Sequence, residues 1–103
     1  MIENEDTYIL SITTFHMGTD KEAALKPLEE AAEVYGAWQD FEKTFNHDVS
    51  YEFVSKTYLA FADEIADTIQ ACCNLAKRYG IDLQAAMKRC QERNRERGRY
   101  EKV

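Results

Sequence analysis

Residues 51–82, YEFVSKTYLAFADEIADTIQACCNLAKRYGID, decide the fold of this chain. Val54, Tyr58, Phe61, Ile65, Ile69, Cys72 and Ala76 recur at intervals of three and four, the spacing of one face of a helix; a half-buried strand would alternate every second residue. The stripe predicts a long helix over roughly Tyr51 to Tyr79. Gly80, after Lys77, Arg78 and Tyr79 and before apolar Ile81, has the composition of a left-handed helix C-cap. Asp82 then caps a third helix carrying Leu83, Met87 and Cys90.

Upstream, Met17-Gly18-Thr19-Asp20 reads as a turn, and Thr19 with Glu22 has capping-box spacing. The first helix is expected from Asp20 to about Thr44, with Leu25, Leu28, Ala32, Tyr35, Trp38 and Phe45 on one broad face. Pro27 predicts either a kink or a restart, because its ring clashes with the preceding turn and offers no N–H. Asn46-His47-Asp48 closes the segment as a polar loop. Residues 7–15 are β-branched and aromatic but short, leaving a strand, an extended arm and a first helical turn all open.

The expected architecture is therefore all-α: two long antiparallel helices and a shorter third, a helical bundle completed by oligomerisation. One domain over residues 1–103 fits the length, with an N-terminal arm at 1–19 and a basic tail at 92–103. A chain of this size buries only about two-thirds of its unfolded surface, so a second copy is expected to cover the rest.

The net charge of −6 argues against a surface that coats nucleic acid or an anionic membrane. The distribution is uneven, since Lys88, Arg89, Arg93, Arg95, Arg97, Arg99 and Lys102 face only Glu92, Glu96 and Glu101 after position 87. Cys72, Cys73 and Cys90 lack paired metal-ligand spacing and read as reduced core residues. The acidic N-terminus is unlike a signal peptide and no apolar run is long enough to span a bilayer, so a cytoplasmic location is expected.

Two acidic motifs stand out on the long helices: Glu29-Glu30-Ala31-Ala32-Glu33, and Glu64-Ile65-Ala66-Asp67. On a helical wheel both border the apolar face, so they meet at the seam between helices. Carboxylates converging there, without His or Cys partners, suit a hard divalent ion acting on phosphate. The plainer reading is a solvated acidic face, and spacing alone favours it. A di-iron bundle fits worst, because His16 and His47 fall outside both motifs.

The order and context of these motifs resemble the MazG-like all-α nucleoside triphosphate pyrophosphohydrolases, a superfamily that includes dimeric dUTPases and phosphoribosyl-ATP pyrophosphohydrolases. The resemblance covers roughly residues 20–100. It implies Mg2+, with Mn2+ as a substitute, held by Glu30, Glu33, Glu64 and Asp67. Glu29 is the adjacent acid that supports the site or orients water, so Glu29 and Glu33 are the implied catalytic pair. Lys26, Asn94 and Arg97 match substrate-binding positions. One departure is Cys90, which stands where the family commonly has Lys one turn before the Asn.

Positions 83, 87, 90, 94 and 97 independently form one stripe, so Asn94 and Arg97 are expected to extend a buried face, against the alternative of a frayed polar end. The aromatic set Trp38, Phe41, Phe45, Tyr51, Phe53 and Tyr58 is expected in core and subunit interface. The implied activity is Mg2+-dependent cleavage of a nucleotide to its monophosphate and pyrophosphate by a homodimer or homotetramer, nucleic acid not being a partner. The alternative is a non-catalytic helical module that uses the basic tail for nucleic acid or an acidic partner.

Overall fold

Thr19 starts the first helix, α1 (Asp20–Lys43), in the computed structural model, which describes residues 7–46 and 49–101. Its Oγ1 accepts from the Glu22 N–H at 3.2 Å, and Glu22 Oε1 accepts in return from the Thr19 N–H at 3.2 Å. This is the reciprocal box that the spacing predicts, and it satisfies two donors at a helix start. Pro27 lies inside α1, so the chain does not restart there. A single 3₁₀ turn, Thr44–Asn46, follows, with the buried Thr44 hydroxyl donating to the Phe41 carbonyl at 2.6 Å. His47 and Asp48 of the expected polar loop, residues 1–6 of the arm and Lys102 of the tail lie outside the described residues.

Ser50 caps the second helix, α2 (Tyr51–Arg78), by accepting from the Phe53 N–H at 3.2 Å. At the other end Gly80 takes φ +64°, the Ile81 N–H reaches the Ala76 carbonyl at 2.9 Å, and the Gly80 N–H reaches Lys77 at 3.1 Å. These two bonds make a Schellman cap and stop the helix where the sequence places the stop. Asp82 starts α3 (Leu83–Glu96) by accepting from the Ala85 N–H at 3.0 Å. Gly98, at φ +70°, ends it with the same pattern of bonds to Asn94 and Arg95.

The two long helices run antiparallel: Arg78 meets Asp20 at one end, and the Phe41 ring lies against Tyr58 and Phe61 towards the other. The arm is neither strand nor helix over residues 7–19 but an extended segment. It lies along the last turns of α2, because Asn74 Oδ1 accepts from the Phe15 N–H and Gln70 donates to the Thr13 carbonyl, both at 3.0 Å. Arg78 completes the clasp by donating to the carbonyls of Met17 and Gly18 at 2.9 Å each and to Asp20 at 2.6 Å. Among the described residues every regular element is helical, and no helix is long and apolar enough to cross a membrane.

The core is thin. Ala23, Ala71 and Ala76 are the buried apolar residues among those described. The radius of gyration is 16.9 Å, against about 13 Å for a compact chain of about 100 residues. The reason lies in α3, which leaves the pair at Gly80 and has no packing comparable to that between α1 and α2. Its stripe therefore corrects the expectation of a buried face: Leu83, Cys90 and Asn94 are half-buried, while Met87 and Arg97 are exposed. The aromatic set is likewise only partly covered, with Phe41 half-buried and Trp38, Phe45, Tyr51, Phe53 and Tyr58 exposed.

Candidate functional site

Glu30 and Glu33 lie three residues apart on α1, so their side chains share one face. Glu64 approaches from α2 across the seam, because the antiparallel register that joins Arg78 to Asp20 also brings the middles of the helices together. The three carboxylates converge, each offering an oxygen within 4.8 Å of the others. Glu30 is buried at 8% exposure, Glu64 is half-buried and Glu33 opens to solvent. An apolar groove of about 240 Å³, lined by Ala31, Val34, Ile65, Thr68 and Ile69, flanks the cluster.

Lys26 is the cation already present. Its ammonium is 3.2 Å from Glu30 Oε1 and 3.7 Å from Glu29 Oε2, one turn back on the same helix. The hydrogen bond to Glu30, aided by the charges of Glu30, Glu29 and Glu33, raises the proton affinity of the amine. Even so, Glu30 Oε2 and Glu64 Oε2 are buried without a hydrogen-bond partner. The Glu33 carboxyl is pushed above its ordinary range, first by hydrogen bonding and charge from Glu30 and then by the same from Glu64. The cause is like charge, since neighbouring carboxylates raise the cost of ionising Glu33.

The remaining sequence-derived residues divide. Glu29 sits beside the cluster, exposed and paired only with Lys26. Asp67, one turn beyond Glu64, is exposed and not part of the converging trio. Asn94 and Arg97 stay on α3: Asn94 accepts from Arg99 at 3.1 Å and donates to the Cys90 sulfur at 3.7 Å, and Arg97 is the exposed C-cap. The single chain therefore unites Glu30, Glu33, Glu64 and Lys26, with Glu29 alongside.

The clasp of Gln70, Asn74 and Arg78 on the arm has no counterpart among the motifs read from the sequence. A signal existed in the spacing of Gln70, Asn74 and Arg78, which sets three hydrogen-bonding side chains one turn apart on the face of α2 opposite its apolar stripe. Comparison of the chain with protein-family models, with curated proteins and with solved structures gives no match.

Proposed function

We propose that this chain is a divalent-metal-dependent nucleotide pyrophosphohydrolase, cleaving a nucleoside triphosphate or related nucleotide to the monophosphate and pyrophosphate. The observation that supports it most is the convergence of Glu30, Glu33 and Glu64 within 4.8 Å, with two buried carboxylate oxygens left unpartnered. Buried carboxylate oxygens without donors are costly, and an all-oxygen set at a helix seam suits a hard cation. Glu30, Glu33 and Glu64 would hold Mg2+, or Mn2+ in its place, with Asp67 joining by a side-chain rotation one turn along α2. When bound, such an ion offsets charge on phosphate oxygens and acidifies water at the reacting phosphorus.

The chain's own side chains supply the rest. Glu33 would help to hold the ion, and Glu29, four residues before it on the same face of α1, would orient the attacking water. With Glu30 engaged in holding an ion, Lys26 would be free to meet a phosphate oxygen. Asn94 and Arg97 reach the nucleotide when α3 lies over the seam of its own chain or of a second copy. A homodimer or homotetramer accounts for the exposed Trp38, Leu28, Leu59 and Ile65, and three free thiols suit a cytoplasmic setting.

The test is a panel of ribo- and deoxynucleoside triphosphates assayed for pyrophosphate release with Mg2+, alongside thermal melts with and without metal. At least one nucleotide should turn over, and the melting temperature should rise by about 10 °C or more, since a ligand at about 100 times its dissociation constant adds about 2.7 kcal/mol. Absence of both effects would turn the reading to a non-catalytic module acting through its basic tail.

A further inference from the structure

Between the N-terminal arm and the last turns of α2 lies a cavity of about 350 Å³, with Phe15, His16, Met17, Asn74, Lys77 and Arg78 in its wall. That volume falls at the lower end of small-molecule pockets. Asn74 is 6% exposed, and its Oδ1 accepts from both the Phe15 N–H and Gln70 Nε2 at 3.0 Å. Two donors on one amide atom fix that atom as oxygen, so the other, Nδ2, is a donor. It is buried and has no partner. Buried donors are almost always satisfied, so this one marks a place for an acceptor.

The charges on the wall specify the acceptor further. Among the described residues no carboxylate lines the cavity. The Arg78 guanidinium is committed to Asp20 and to the Met17 and Gly18 carbonyls, which holds the arm in place. Lys77, by contrast, makes no ion pair among the described residues, so its charge is available. Phe15 and Met17 add an apolar surface that a bare water or a bare phosphate would leave uncovered. Asn74 lies ten residues beyond Glu64 on α2, about 15 Å along the helix axis, so this is not the carboxylate site.

We propose that the cavity is a second binding site, for a small organic oxyanion: an oxygen accepts from Asn74 Nδ2, Lys77 offsets the charge, and the apolar body lies against Phe15 and Met17. A phosphate monoester and a carboxylate share this chemistry. The assignment does not depend on the carboxylate cluster being a metal site or on nucleotide hydrolysis.

The experiment is a 1H–15N NMR titration of the full chain in excess chelator, so that the acidic cluster cannot retain phosphate through a metal. The probes are inorganic phosphate, uridine 5′-monophosphate and benzoate. Uridine monophosphate, benzoate or both should give saturable shifts at the Asn74 side-chain amide and the Phe15 amide, and inorganic phosphate should bind more weakly. A response to one of the two organic probes alone separates a phosphate ligand from a carboxylate one. Asn74→Asp keeps an oxygen for Phe15 and Gln70 but replaces the donor with an acceptor, and should weaken binding roughly tenfold or more. Lys77→Gln leaves the clasp untouched and should weaken it severalfold, which keeps the test decisive if Asn74→Asp unfolds. Absence of saturable shifts with either organic probe, or shifts that survive both substitutions, would overturn the site. So would loss of the cavity to a second copy, seen as concentration-dependent protection of the Asn74 amide without ligand.

Discussion

Glu30, Glu33 and Glu64 act as one group, and their substitutions separate roles that Glu-rich helices otherwise blur. Glu64→Gln and Glu33→Gln each remove a charge from the converging trio, so the metal-free protein should hold or gain stability while pyrophosphate release falls on the order of a hundredfold or more. Asp67→Asn should cost less than either, because Asp67 lies outside the trio; steady-state kinetics on the three variants checks the ranking. The raised proton affinity of Glu33 gives a pH dependence with a definite sign. The folded state holds its proton more tightly than the unfolded state does, so its contribution favours folding below the ordinary value of 4.5 and is lost as pH rises through the elevated folded value. Metal-free melts should therefore show a downward contribution from Glu33 above pH 4.5 that Glu33→Gln removes. Divalent ions, which compete with that proton, should stabilise more as pH rises.

Helix ends and the arm are where local chemistry meets tertiary contact. The Thr19 and Asp82 caps and the Gly80 stop form as the sequence indicates, since each needs only atoms within one helical turn. The arm needed a partner to settle its conformation, because residues 7–19 belong to neither helix nor strand and are held to α2 by Gln70, Asn74 and Arg78. Arg78→Ala removes donors to two carbonyls and to Asp20 at once. It should release the arm to limited proteolysis near Phe15 and cost about 1–3 kcal/mol, while leaving α1 and α2 helical by circular dichroism. Removing residues after Gln91 should spare metal-dependent stabilisation, since the three carboxylates lie on α1 and α2, but should cut turnover if Asn94 and Arg97 hold the nucleotide.

The whole molecule is too open for its length. Its accessible surface of 8746 Å² exceeds the roughly 6,000 Å² expected of a compact chain of its mass by about 2,700 Å². The proposed homo-oligomer would bury part of that excess, with exposed Leu28, Leu59, Ile65 and Trp38 supplying its apolar part. Sedimentation at micromolar concentration should therefore give a dimer or tetramer, with Trp38 emission shifted to the blue. A well-folded monomer with a solvent-exposed indole would be incompatible with that assembly.

Helix number and order, the Thr19 and Asp82 caps and the Gly80 stop were legible from the chain, because the 3.6-residue period and capping chemistry act over a few neighbours. The acidic motifs were legible too, along with their place at the seam. Tertiary structure alone decided which carboxylates meet: Glu30, Glu33 and Glu64 do, while Glu29 and Asp67 stand aside. That outcome depends on the register and rotation of one helix against the other, which many side chains set jointly. It also decided that α3 leaves its stripe uncovered, and that Gln70, Asn74 and Arg78 hold the arm. Spacing along a helix fixes which face a residue occupies, but what that face meets depends on contacts between residues far apart in the chain.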